Sequence, residues 1–242
     1  MKTKKTLTEV QRFQSSFATF AVNIKEGMVI KMKKVLLIGD SIRQGYDKYV
    51  KEAFNGIAEI YYPKENCRFA AYVVRNLHEW RWQLGCGDDV DLVHWNAGLW
   101  DDLVLPDGKH LTELSVYCDY VERVYELIKI LFPKAKIIFA TSTPVQDELF
   151  TVCKRYNKDT ELYNEKAVEI ALKHGAKIND LYTIVKEVPK SYYSDLTHLY
   201  TREGAETLSV PVISIIESEL GIKANKVDYD KYFSKKEDVI GV

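Results

Sequence analysis

Lys34-Val35-Leu36-Leu37-Ile38-Gly39-Asp40-Ser41 is the stretch that decides the fold. Its apolar run, 35–38, stops at Gly39-Asp40-Ser41, and a helical pattern takes over from about Ile42. A short apolar run without alternation fits a strand buried on both faces, as in a parallel sheet. Such a strand, ending in a tight turn, delivers the next side chains to the carboxyl edge of the sheet, where open α/β sheets bind ligands. A serine delivered there, its N–H near a helix N-terminus, can be a nucleophile beside an anion-stabilising dipole. The competing reading is that Asp40 or Ser41 merely caps the helix, a role both residue types fill well.

Outward from this stretch, apolar runs and helical patterns alternate. The runs predict strands over 34–39, 57–62, 91–95, 135–141 and 176–180, and the periodicity predicts helices over 42–54, 68–84, 112–132, 157–174 and 202–219. The helix at 112–132 has the clearest pattern, with Leu114, Cys118, Val121, Tyr125, Ile128 and Leu131 on one face. It ends before Pro133, which cannot continue it. The following strand begins within a few residues, as a βαβ crossover requires. The domain itself is expected over 32–221, with a dispensable N-terminal extension over 1–31 and a charged tail over 222–242 that packs on the surface or frays.

Composition narrows the function. With 242 residues, 46% of them apolar, the chain can bury a sizeable core. The 34 basic and 35 acidic residues leave a net charge of −1, which gives no basic stripe for nucleic acid. No apolar run reaches the ~18 residues that span a bilayer. The cysteines Cys67, Cys86, Cys118 and Cys153 form no C-x-x-C pair, against a zinc site or a disulfide framework. Residues 6–31 contain no clean apolar segment of a secretory signal, so a cytoplasmic location is expected. No residue pattern calls for a metal or an organic cofactor. His94, Asp101, Asp102 and His110 are the only candidate ligand cluster.

In a parallel sheet the loops after the strands share one edge. Here they carry Gly39-Asp40-Ser41, then the segment 63–68 with Asn66 and Cys67, then Asn96-Ala97-Gly98-Leu99-Trp100-Asp101-Asp102, and finally Ser194-Asp195-Leu196-Thr197-His198. A hydroxyl nucleophile needs a base to take its proton and a third group to orient that base. Asp and His three apart occur at 91/94, 107/110 and 195/198. Asp91 and His94 fall in a strand, where that spacing puts them on opposite faces. Asp107/His110 lies in the loop after the third strand and remains a rival. Asp195/His198 lies just before the last helix, where one turn can hold the carboxylate on one imidazole nitrogen and leave the other for Ser41.

The chain resembles an SGNH hydrolase of the GDSL esterase/lipase superfamily. Gly39-Asp40-Ser41 with its preceding strand is similar to the first block of that family. Asp195-Leu196-Thr197-His198-Leu199, followed by a helix with Gly204, is similar to the last, and Ile178-Asn179-Asp180-Leu181-Tyr182 to the segment that leads towards it. The similarity spans roughly 33–220. It implies a flavodoxin-like, three-layer α/β/α sandwich with a five-stranded parallel sheet. It also implies ester hydrolysis with Ser41 as nucleophile, His198 as base and Asp195 as its partner. Two blocks depart from the pattern. The second, 63–70, has no glycine, which leaves the N–H of Asn66 or Cys67 as its donor. The third places Trp100 where the family carries its oxyanion asparagine, which leaves Asn96 as the nearby replacement.

The expectation is therefore a serine esterase whose oxyanion hole is built from Ser41, Asn96 and Gly98, with Asp40, Asn66 and Trp100 lining the substrate pocket. Trp95, Trp100, Tyr192 and Tyr193 fall near the pocket in sequence and suit a sugar face, so an acetylated carbohydrate or oligosaccharide ester is one expected substrate. Core or loop packing is the alternative for these rings. Arg43 and Arg68 are either readers of an anionic substrate group or solvated helix residues. A lipid or thioester acyl hydrolase, and a non-catalytic binding module on the same fold, are the alternative functions.

Overall fold

The computed structural model describes residues 31–233; the proposed extension, apart from Lys31, and the tail beyond 233 lie outside the described residues. The strands β1 (Lys33–Ile38), β2 (Ala58–Tyr61), β3 (Leu92–Trp95), β4 (Lys136–Ala140) and β5 (Lys177–Asn179) form one parallel sheet in the order β2-β1-β3-β4-β5. The helices are α1 (Ser41–Ala53), α2 (Ala70–Leu84), α3 (Leu114–Leu131), α4 (Asn157–Lys173), α5 (Leu181–Lys186), α6 (Arg202–Leu220) and α7 (Asp230–Phe233). The ten long elements match the pattern read from the sequence to within two residues at each end. The short helices α5 and α7 carry too few turns to show a period.

Successive side chains of β1 feed two cores. Val35 and Leu37 join the cluster under α1, α5 and α6, whereas Leu36 and Ile38 join the one under α2, α3 and α4. All four are at most 1% exposed. Each such side chain contributes about 1.5–3 kcal/mol by leaving water. Burial on both faces explains why the strands read as continuous apolar runs and makes the molecule a three-layer α/β/α sandwich.

Local signals set the helix ends. Asp40 caps α1 by accepting the Ile42 N–H at 2.9 Å, and Thr201 caps α6 by accepting the Gly204 N–H. The N-cap of α2, Phe69, has no side chain to offer. Asp101, far along the chain, supplies it by accepting the Ala70 N–H at 3.1 Å. Residues 222–233 return along α1 and α6. Val227 and Tyr229 are buried, Tyr229 bonds Ser209, and the Asn225 N–H reaches the Ala53 carbonyl.

The strand order reverses between β1 and β3, so the loops after these two strands flank the crevice at the carboxyl edge. They meet closely. The Asn96 N–H bonds the Ile38 carbonyl, and a Cβ built on Gly39 would lie 2.0 Å from Asn96 Oδ1. Only a glycine fits there. Replacing Gly39 with Ala is expected to destabilise the protein by about 1–3 kcal/mol, by pushing Asn96 off its site. A urea melt of G39A with an unchanged midpoint contradicts this.

Candidate active site

Two elements bring the site together. Ser41 opens α1, where the first-turn N–H groups have no intrahelical partner and the helix dipole favours negative charge. The loop before α6 supplies the other two residues. Asp195 Oδ1 accepts the N–H groups of Thr197 and His198, both at 2.8 Å, and Oδ2 meets His198 Nδ1 at 2.7 Å. One carboxylate thus folds the turn and holds the ring. An ionised carboxylate only accepts, so Nδ1 carries the proton and Nε2 is left as the acceptor. Nε2 lies 2.7 Å from Ser41 Oγ. Burial pushes the Asp195 carboxyl up, but the bonds from Thr197 and His198 outweigh it and hold the acid below its ordinary value.

Tyr200, which sequence reasoning passed over, fixes both halves. Its ring stacks on His198 with centroids 4.6 Å apart, and its hydroxyl donates to the Ser41 carbonyl at 2.6 Å. The only sequence signal was its place two residues after His198.

Beneath Ser41, Asp40 is fully buried. It accepts a hydrogen bond from Asn96 Nδ2 at 3.1 Å, while its Oδ2 and Asn96 Oδ1 have no hydrogen-bond partner among the described residues. Burial raises the Asp40 acid; the bonds from Asn96 and Ile42 and the charges of Arg155 and His198 pull it back only in part. Asn96 is 3% exposed, so its amide works first as a prop for the Gly39-Asp40-Ser41 turn. Gly98 has a positive φ of 154°, a backbone conformation that side-chain-bearing residues rarely adopt, and a Cβ there would lie 2.5 Å from Ser142 Oγ. Trp100 is half-buried in the same loop.

The second loop approaches the turn through Cys67, whose N–H donates to the Gly39 carbonyl at 3.0 Å. That bond consumes the donor and corrects the expectation that Cys67 is free to serve an oxyanion. Asn66 closes a local turn by accepting the Arg68 N–H, and Arg68 adopts a left-handed φ of 53°. Among the described residues it is the only non-glycine with a positive φ.

Other expectations need correction. Arg43 is neither a substrate reader nor solvated: it is completely buried, paired with Asp47 at 2.5 Å and donating to the Glu65 carbonyl. Trp95 belongs to the core, packed edge-on against Tyr125 and Phe139. His110 does not pair with Asp107; its Nε2 meets Asp159 at 3.2 Å. His94 is fully buried against Tyr46 and Asn179, and burial drives its pKa down to about 3. The four candidate ligands His94, Asp101, Asp102 and His110 are thus committed to separate partners.

No protein-family model matches the chain, and no curated protein matches it. Solved structures do. A GDSL-like lipase from Bacteroides thetaiotaomicron superposes with a TM-score of 0.61 at 18% identity, over 87% of this chain and 98% of the other. A lipase/acylhydrolase from Enterococcus faecalis gives 0.63 at 17% identity, over 81% and 100%. A variant of an acetyl-xylooligosaccharide esterase from Geobacillus gives 0.58 at 18% identity, over 83% and 100%. The fold is that of the SGNH (GDSL) hydrolases.

On this SGNH fold the loop after β3 carries two adjacent acids, both fully buried. Asp102 Oδ2 accepts the Thr160 hydroxyl at 2.6 Å, and its Oδ1 has no hydrogen-bond partner among the described residues. Burial pushes both Asp101 and Asp102 up to about 7. Between the ordinary value of 3.8 and about 7, the folded chain holds a proton that the unfolded chain has lost. Stability therefore falls as pH rises through that window, and the loss is complete above it. Asp102→Asn removes this cost. Relative to wild type, the variant is expected to gain about 1–4 kcal/mol between pH 4 and pH 8. Urea melts at the two pH values check it, and a constant difference refutes it.

Proposed function

We propose that the protein is a serine esterase that cleaves a carboxylic ester through an acyl-enzyme. The observation that carries this reading is the unbroken chain Asp195 Oδ2–His198 Nδ1 and His198 Nε2–Ser41 Oγ, each contact 2.7 Å, at the edge where the fold binds ligands. Ser41 Oγ attacks the carbonyl carbon, and its proton passes to His198 Nε2. Asp195 stabilises the resulting imidazolium and keeps the ring in register. The tetrahedral oxyanion forms beside the Ser41 N–H and the N-terminus of α1. The Gly98 N–H and the second Asn96 Nδ2 hydrogen, the first being given to Asp40, are the proposed further donors. Collapse expels the alcohol, which takes the proton from His198. Water, deprotonated by the same ring, then attacks the acyl-enzyme and restores Ser41.

An acetylated carbohydrate is the proposed substrate class. The similar structures include acetyl xylan and acetyl-xylooligosaccharide esterases. Trp100 is half-buried in the loop after β3, and Tyr192 and Tyr193, partly packed on the core, directly precede the Asp195 turn, with the Tyr193 hydroxyl on the Pro144 carbonyl. Such rings present flat apolar faces of the kind that sugar rings cover.

Hydrolysis of 4-nitrophenyl acetate by wild type and three variants tests the mechanism. Ser41→Ala and His198→Ala are each expected to lose about 10³-fold or more in kcat. His110→Ala, whose ring sits on Asp159, should stay within about threefold of wild type. A fluorophosphonate should label wild type and not Ser41→Ala. Full activity in Ser41→Ala sinks the mechanism, and stoichiometric binding of an acetylated sugar without turnover or labelling would favour a binding module.

A further inference from the structure

Arg155 stands at the carboxyl edge of the sheet, and among the described residues its only hydrogen bond is made by Nε. It lies just ahead of α4, and two features lock it in place. An antiparallel bridge joins Lys154 to Val104, with the Val104 N–H on the Lys154 carbonyl and the Lys154 N–H on the Val104 carbonyl. The Arg155 Nε then donates to the Leu99 carbonyl at 2.5 Å. The guanidinium is thereby fastened to the loop that also holds Asn96, Gly98 and Trp100. Phe150 lies under it, 5.9 Å from ring centroid to guanidinium carbon.

The side chain is only 14% exposed. Burying a cation costs several kcal/mol unless it is paired and hydrogen-bonded. Here the compensation is incomplete. Among the described residues the nearest carboxylate oxygen, Asp102 Oδ1, lies 3.9 Å from Nε, beyond hydrogen-bond reach, and is itself without a hydrogen-bond partner. Neither Nη1 nor Nη2 makes a hydrogen bond among the described residues. The other acid that senses Arg155 is Asp40, whose carboxyl is drawn down by it and which immediately precedes the nucleophile. Arg43 makes the contrast plain. It is more deeply buried, but both its Nη1 and its Nη2 are bonded, to Asp47 and to the Glu65 carbonyl.

We infer that Arg155 is a specificity residue of the proposed esterase site, and that the substrate is an ester carrying an anionic oxygen group, carboxylate or phosphate, near the scissile bond. A rigid, partly desolvated fork with two donor nitrogens that no described residue engages matches two oxygens of such a group. Its orientation is fixed before the ligand arrives, which lowers the ordering cost of binding. An acetylated acidic sugar satisfies both this requirement and the aromatic faces nearby. The inference rests on the esterase reading, and its test separates the two.

Three esters serve as probes: phenyl acetate, which is neutral; 4-acetoxybenzoate, with a carboxylate on the alcohol side; and monophenyl succinate, with one on the acyl side. Wild type should favour one of the two anionic esters over phenyl acetate in kcat/KM. In Arg155→Gln that preference ratio should fall about 10- to 100-fold, chiefly through KM, with Arg155→Lys between. A lost fold would lower all three rates together, whereas the ratio moves only when the anion is no longer recognised. If Arg155→Gln does not fold, the ratio is read from Arg155→Lys. Wild type that favours neither anionic ester, or a ratio unchanged in the variant, overturns the proposal while leaving the esterase intact. If wild type cleaves none of the three, the esterase reading has failed on these probes. Calorimetric titration of succinate then decides for Arg155: binding by wild type that Arg155→Gln loses supports the anion site, and no binding overturns it.

Discussion

The close approach of β1 and β3 at their carboxyl ends is the constraint on which the rest depends. Gly39 has no side chain, so Asn96 can press against the turn and hold Asp40 by its amide. Asp40 in turn caps α1 and sets Ser41 at the helix N-terminus. Cys67 draws the loop after β2 onto the same glycine through its carbonyl. A single residue without a Cβ thereby lets three loops converge at the point where the strand order reverses. The histidine half of the site is assembled separately, as a self-contained turn around Asp195. The two halves meet through Tyr200 and through the Ser41–His198 contact.

Convergence concentrates polar groups where the fold is least able to solvate them. Asp40, Asp101 and Asp102 are all fully buried, and burial raises each acid. Asp101 is used structurally, as the missing cap of α2. Among the described residues, Asp40 and Asp102 each keep one oxygen without a hydrogen-bond partner, and Ser142 and Thr143, in the loop after β4, bury hydroxyls in the same condition. Strained or under-satisfied groups are characteristic of sites under functional constraint. The two apolar layers packed against the sheet offset their cost.

Arginine and tryptophan show where reading the chain went astray. Arg43 lies one turn into a helix that looks solvated on that face, yet Asp47 four residues on and the Glu65 carbonyl close over it. Nothing local announces the second partner, which comes from another loop. Trp95 sits beside Asn96 in sequence, but the strand turns its side chain into the core against Tyr125 and Phe139. Adjacency along a strand means opposite faces. Arg155 is not legible in the sequence for a related reason. Its significance lies in the Leu99 carbonyl and the Asp102 carboxylate, both more than fifty residues away.

What the sequence by itself determined is whatever short-range physics controls. Runs of buried residues marked the strands, periodicity marked the long helices, and the offset of three between Asp195 and His198 marked a turn that holds its own ring. The order of apolar runs, with a small turn after the first, was enough for a parallel sheet and a serine at its edge. The tertiary structure alone decided which donors are spent and which are free. Cys67, Asn96 and Arg155 are distinguished by partners that only the packing of separate loops supplies. Hydrogen bonds saturate, so a group's availability depends on every neighbour the fold brings to it, and that is not a local property of the chain.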